Sequence, residues 1–332
     1  MSRKLLATVA TTFVFGSAAL AEAPSVAVDI APLHSLVSRV MAGVGEPDLV
    51  IPSGASPHDH RLRPSEAAAL ESADVVFWMG EGLTPWMADA LETLAADAQR
   101  TAMMDADGTL LLDFRENAVF EAHEHGAEKD DHDDHGHEEH GNDGHDHADE
   151  DHADASHDDH AHGAHDPHAW LSPDNAATWL NVIAADLSAT DPGNAGVYFA
   201  NAAAARSEID NLKAEISAML DPLRGKRFIV FHDAYQYFET AFDISAAGAI
   251  SLSDASDPSP ARIAEIQARV REEGIDCVLA EPQFNPGIIA TVLDGTEAAT
   301  AVLDPVGADI APGPEMYPTL LRNLAEGLAD CL

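Results

Sequence analysis

Residues 226–238 read Lys-Arg-Phe-Ile-Val-Phe-His-Asp-Ala-Tyr-Gln-Tyr-Phe. The run Phe228 to Phe231 is short, continuous and rich in aromatic and β-branched residues, the pattern of a strand covered on both faces. A helix over Ala234 to Ala241 follows directly, and the unit then repeats. Strands are expected at Ile244 to Ile250, Cys277 to Ala280 and Ala301 to Leu303, with helices at Pro260 to Glu273, Pro286 to Leu293 and Glu315 to Ala329. The same alternation precedes it. Strands Val26 to Ala31, Asp48 to Ile51 and Asp74 to Met79 interleave with helices His34 to Met41, Pro64 to Ser72 and Pro85 to Ala95. Thr101 to Met104 and Leu110 to Phe114 are weaker strand-like pieces. Between the two series, Asn194 to Leu220 carries Ile209, Leu212, Ile216 and Leu220 at spacings of three and four, a long amphipathic helix. The reading is α/β: two lobes with parallel sheets flanked by helices, joined by a helical connector.

Composition sets limits on function. The 332 residues carry 17 Lys and Arg against 58 Asp and Glu, a formal charge of −41. Such a chain repels nucleic acid and anionic membranes and suits cations. Two cysteines are too few for a thiolate cluster. Residues 1–21 read as a secretory signal peptide: Arg3 and Lys4, an apolar core from Leu5 to Phe15, and the small-residue site Ala19-Leu20-Ala21. The expected product is therefore exported.

The charge is concentrated. Residues 121–166 hold 13 of the 18 His and 18 of the acids, with no Val, Ile, Leu, Met, Phe, Trp or Tyr. A segment that cannot bury apolar surface cannot offset its ordering entropy, so a disordered loop is expected. Its imidazoles are His123, His125, His132, His135, His137, His140, His145, His147, His152, His157, His160, His162 and His165, a flexible multi-site ligand for borderline divalent metals. Outside the loop, His58, His168 and His232 follow predicted strands or the loop's end. In open parallel sheets that edge is where ligands bind. Neutral imidazole suits zinc, and three with one further group make a tetrahedral site. Asp59, Asp166 and Asp233 lie beside them as candidates for orienting the rings.

Four stretches carry a resemblance over essentially the whole mature chain: Val-Asp-Ile-Ala-Pro-Leu-His-Ser-Leu-Val (28–37), Pro-His-Asp-His-Arg-Leu-Arg-Pro-Ser-Glu (57–66), Val-Phe-His-Asp-Ala-Tyr-Gln-Tyr-Phe (230–238) and Leu-Asp-Pro-Val-Gly (303–307). The chain resembles the periplasmic zinc-binding receptors of bacterial high-affinity zinc ABC importers, the ZnuA type of metal-binding solute receptor. The resemblance implies two Rossmann-like lobes joined by a rigid long helix, with Zn2+ in the cleft on His58, His168 and His232. For the fourth position it offers Asp304, with water or His60 as alternatives; a Glu used by some relatives is here Pro57. It also implies a disulfide between Cys277 and Cys331, the simplest pairing in an oxidising compartment.

The implied partners are an ABC permease with a separate ATPase, since this chain has no P-loop, and a periplasmic zinc chaperone as a candidate. The receptor is expected to be monomeric. Rival readings are a surface adhesin, a zinc store, a manganese or other divalent-metal receptor, and a zinc hydrolase; against the last, no His-Glu-x-x-His occurs. The expected division is 1–21 leader, 22–120 first lobe, 121–166 loop, 167–192 completing the first lobe, 193–222 linker helix and 223–332 second lobe.

Overall fold

The computed structural model describes residues 23–115, 120, 165–251 and 258–332. The leader and twelve of the thirteen loop histidines, His123 to His162, lie outside the described residues.

The first sheet holds β1 (Val26–Val28), β2 (Asp48–Leu49), β3 (Val75–Trp78) and β4 (Gln99–Ala102). The second holds β5 (Phe228–His232), β6 (Gly248–Ser251), β7 (Cys277–Ala280) and β8 (Ala299–Val302). Their orders, β2-β1-β3-β4 and β6-β5-β7-β8, are one topology used twice, with every pairing parallel. The central strands are fully covered, as the apolar runs require.

Helices α1 (Ala31–Val40), α2 (Pro64–Glu71) and α3 (Pro85–Leu94) belong to the first lobe, followed by α4 (Pro173–Thr190) and α5 (Ala195–Leu220). The second lobe adds α6 (Gln236–Phe242), α7 (Pro260–Glu272), α8 (Pro286–Leu293) and α9 (Met316–Cys331). Proline opens α2, α3, α4, α7 and α8, where its missing N–H has no helical partner to lose. Ser172, Ser259 and Asn285 cap α4, α7 and α8 by accepting the amides of Asn175, Arg262 and Gly287.

Strand ends were overread. Ile244 to Ile250 pairs only from Gly248, because the chain first turns through Asp243 at φ 52°. Leu110 to Phe114 forms no strand; Asp113 makes an isolated antiparallel bridge to His165.

The side of α5 formed by Tyr198, Ala202, Ala205, Ile209, Leu212, Ile216 and Leu220 is buried. It belongs to a single apolar cluster running from the first sheet through α4, α5 and α9 to the inner face of the second sheet. A separate cluster packs α7 and α8 on that sheet's outer face. Alternation along β5 divides the two, with Phe228 and Val230 inward and Ile229 and Phe231 outward. Polar ties cross the same seam. The Tyr317 hydroxyl donates to the Trp170 carbonyl at 2.9 Å, the Tyr317 amide to Ser35 Oγ at 3.0 Å, and Trp170 Nε1 to the Pro305 carbonyl at 2.8 Å.

Cys277, at the start of β7, is bonded to Cys331 at the end of α9, with Cα atoms 5.9 Å apart and a sequence separation of 54. Closing a loop of that length is worth about 4 kcal/mol in the chain-entropy model. The double variant Cys277→Ala/Cys331→Ala should lose stability of that order in urea unfolding. A midpoint equal to that of the oxidised parent would show that the bond adds nothing.

Candidate metal centre

His232 is the last residue of β5. Since β5 pairs with β7, the residue after β7, Glu281, comes alongside it. Glu281 Oε1 accepts the His232 amide at 3.1 Å and lies 2.7 Å from its ring Nδ1. Sequence adjacency pointed instead to Asp233 as the orienting acid. That residue turns away to the Arg115 guanidinium at 3.1 Å.

His168 stands just before a single 3-10 turn, Ala169–Leu171. Asp166 Oδ1 accepts its amide at 3.0 Å and meets its Nδ1 at 2.7 Å, so here the neighbouring acid is the orienting one. Its place is fixed from the other lobe: the Tyr237 hydroxyl, on α6, donates to the Asp166 carbonyl at 2.9 Å. His58 lies in the loop between β2 and α2, beyond Pro57, whose carbonyl accepts Trp86 Nε1 at 2.8 Å. Asp59 beside it faces solvent.

The three imidazoles come together. Ring centroids are 6.0 Å apart for His58 and His168 and 5.4 Å for His168 and His232. All three line one cavity of about 150 Å³, whose other walls include Trp170, Gln283, Pro305 and Val306. Among the described residues, no three His, Cys, Asp or Glu groups already stand as a formed metal site. Two imidazoles on one tetrahedral ion at about 2.0–2.1 Å have centroids about 5 Å apart. Both separations lie within about 1 Å of that value.

The alternatives for a fourth ligand are engaged elsewhere. His60 Nε2 is 2.8 Å from Glu66 Oε2, and its ring packs on Trp86. Asp304 follows β8, and its carboxylate accepts the amides of Val306, Gly307 and Ala308 at 3.0, 2.9 and 2.6 Å. Neither side chain lines the cavity. His165 is half-exposed and paired with Asp113 at 2.9 Å.

A family model described as the zinc-uptake complex component A, periplasmic, matches residues 26–331. The chain belongs to the ZnuA family. A relative from Brucella abortus (strain 2308), a high-affinity zinc uptake system protein ZnuA, is 45% identical over 317 residues, covering 96% of this chain and 94% of its own. One of the same name from Paracoccus denitrificans is 44% identical over 321 residues, covering 96% and 95%. A crystal structure of ZnuA superposes with a TM-score of 0.71 at 22% identity, covering 93% of this chain and 99% of that one. The laminin-binding adhesin of Streptococcus agalactiae, in a mutant structure, gives 0.70 at 22%, with the same coverage. These two likenesses establish the ZnuA fold. The family is one of transport receptors, not of enzymes.

In this ZnuA-family chain, sequence reasoning missed Glu281 and Arg115. The Arg115 guanidinium also bonds Glu239 Oε2 at 2.8 Å, and its Cζ lies 4.0 Å from the Phe120 ring centroid. Burial pushes the Asp233 carboxyl up to about 7, against the pull of Arg115. The only available signal was an arginine at the edge of an acidic run.

The role of Asp304 is testable by stability. Asp304→Ala strips three amides of the acceptor that shapes the 305–308 turn, a loss of about 1–3 kcal/mol. Thermal unfolding at the parent's midpoint would show that the turn holds without it.

Proposed function

We propose that the chain is an exported receptor that binds one Zn2+ tightly in the cleft and delivers it to an ABC-type permease for zinc uptake. The observation that carries this reading is the convergence of three imidazoles, from both lobes, on one small cavity. His58, His168 and His232 coordinate the ion, and water takes the fourth position, because Asp304 and His60 are committed to other partners. A nitrogen-only protein set suits zinc over manganese, which prefers oxygen donors. The names and family description of the relatives support the same cargo and a periplasmic location. A permease and a separate ATPase are the implied partners, and the receptor acts without catalysis.

The His-rich run 121–166 serves as a lower-affinity collector in this reading. Ordering each loop residue around an ion costs about 1–2 kcal/mol, a cost the folded cleft does not carry. The 18 acids beside its imidazoles draw divalent cations from about a Debye length away.

A competition titration against a chromophoric zinc chelator tests the assignment. The parent should show one tight site and several weak ones; deletion of 123–162 should leave the tight site alone. His58→Ala, His168→Ala and His232→Ala should each weaken it at least a hundredfold, since two imidazoles leave the coordination half open. Asp304→Asn should change it less than tenfold. An unaltered affinity in any His variant removes that residue from the site, and loss of tight binding on loop deletion would move the site into the loop.

A further inference from the structure

His168 and His232 lie in different lobes and on unrelated local backbone, yet each is gripped in the same way. A single carboxylate oxygen takes both the amide and the ring Nδ1 of its histidine, at 3.0 and 2.7 Å from Asp166 and at 3.1 and 2.7 Å from Glu281. Both acids are enclosed, with side-chain exposures of 2% and 0%. A carboxylate only accepts, so Nδ1 carries a proton, and in the neutral imidazole that leaves the lone pair on Nε2. A backbone carbonyl could orient a ring as well without bringing a charge into the interior. Two buried charges used for that purpose call for an offset.

Glu281 cannot swing round to become a ligand itself. Its other oxygen accepts Gln283 Nε2 at 2.7 Å. Gln283 in turn lines the cavity, and Phe284 sets its ring edge-on to His232 at 5.6 Å while stacking on Phe231 at 4.1 Å. The whole 281–284 turn is built around one imidazole.

We infer that Glu281, together with Asp166, is a positioning residue of the metal centre: it fixes Nε2 as the coordinating nitrogen and places behind the neutral rings the negative charge that a dication needs. Three neutral imidazoles contribute no charge to a divalent ion; these two acids contribute two. The inference rests on the zinc reading given above.

The test separates the two ideas by using a readout that needs no metal. In metal-free protein, imidazole 15N spectra should show His232 as a single tautomer protonated at Nδ1, and Glu281→Ala should turn it into a mixture. Zinc affinity should fall by about tenfold in the near-isosteric Glu281→Gln, which keeps an acceptor oxygen and loses the charge, and by up to a hundredfold in Glu281→Ala. Far-UV circular dichroism confirms folding; if the Ala variant does not fold, the Gln variant decides. An unchanged His232 tautomer in folded Glu281→Ala, or a zinc affinity within threefold of the parent in either folded variant, overturns the positioning role. His58→Ala is the control, since Glu281 does not touch it. If that variant binds zinc like the parent, the zinc reading has failed instead, and the tautomer result stands apart from it.

Discussion

In the proposed site, three imidazoles on three separate segments of chain, from two lobes, have to meet within a few ångströms. That constraint governs the rest of the architecture. Two lobes on a flexible tether would hold the rings at a distribution of separations, and each binding event would have to collapse it. Here the tether is replaced by packing. The 26-residue helix α5 is about 39 Å long, buries one side along its length, and shares its apolar cluster with both sheets. Helix α9, from the second lobe, lies against α1 and α5 of the first, with Tyr317 pinned at both its amide and its hydroxyl. Parting the lobes would return that surface to water at about 25 cal/mol per Å². The lobes are thus held together by shared packing, with the three rings already near one another.

The large elements were legible because each depends on local chemistry. Proline marked the helix starts, continuous apolar runs marked the covered strands, and spacings of three and four marked α5. Strand ends were less legible, since apolar residues such as Ile244 persist beyond the last ladder bond when the turn itself is buried. Parallel sheets followed from the repeated strand–helix unit, but the strand order and the register did not.

That difference decides what could be read of the site. The three histidines stood out by position, after predicted strands or at the loop's end, with nothing needed beyond the local pattern. The partner of His232 did not. It lies 49 residues away, on the neighbouring strand's continuation, and only the pairing of β5 with β7 brings it near. Asp166 was visible because its contact spans two residues. Asp304 is the reverse case. The motif Leu-Asp-Pro-Val-Gly suggested coordination, and what the sequence did not make legible is that the same carboxylate accepts the amides of a tight turn.

The lining of the cavity has its own consequence. The cavity of about 150 Å³ is walled by proline, tryptophan and valine, and offers an ion few polar side chains beyond the three rings, Ser56 and Gln283. In the proposed site an ion would have to exchange waters of its shell for imidazole nitrogens. The cost of that exchange differs from one ion to another. Magnesium, which gives up water reluctantly and prefers oxygen donors, would gain little from exchanging its waters for three imidazoles.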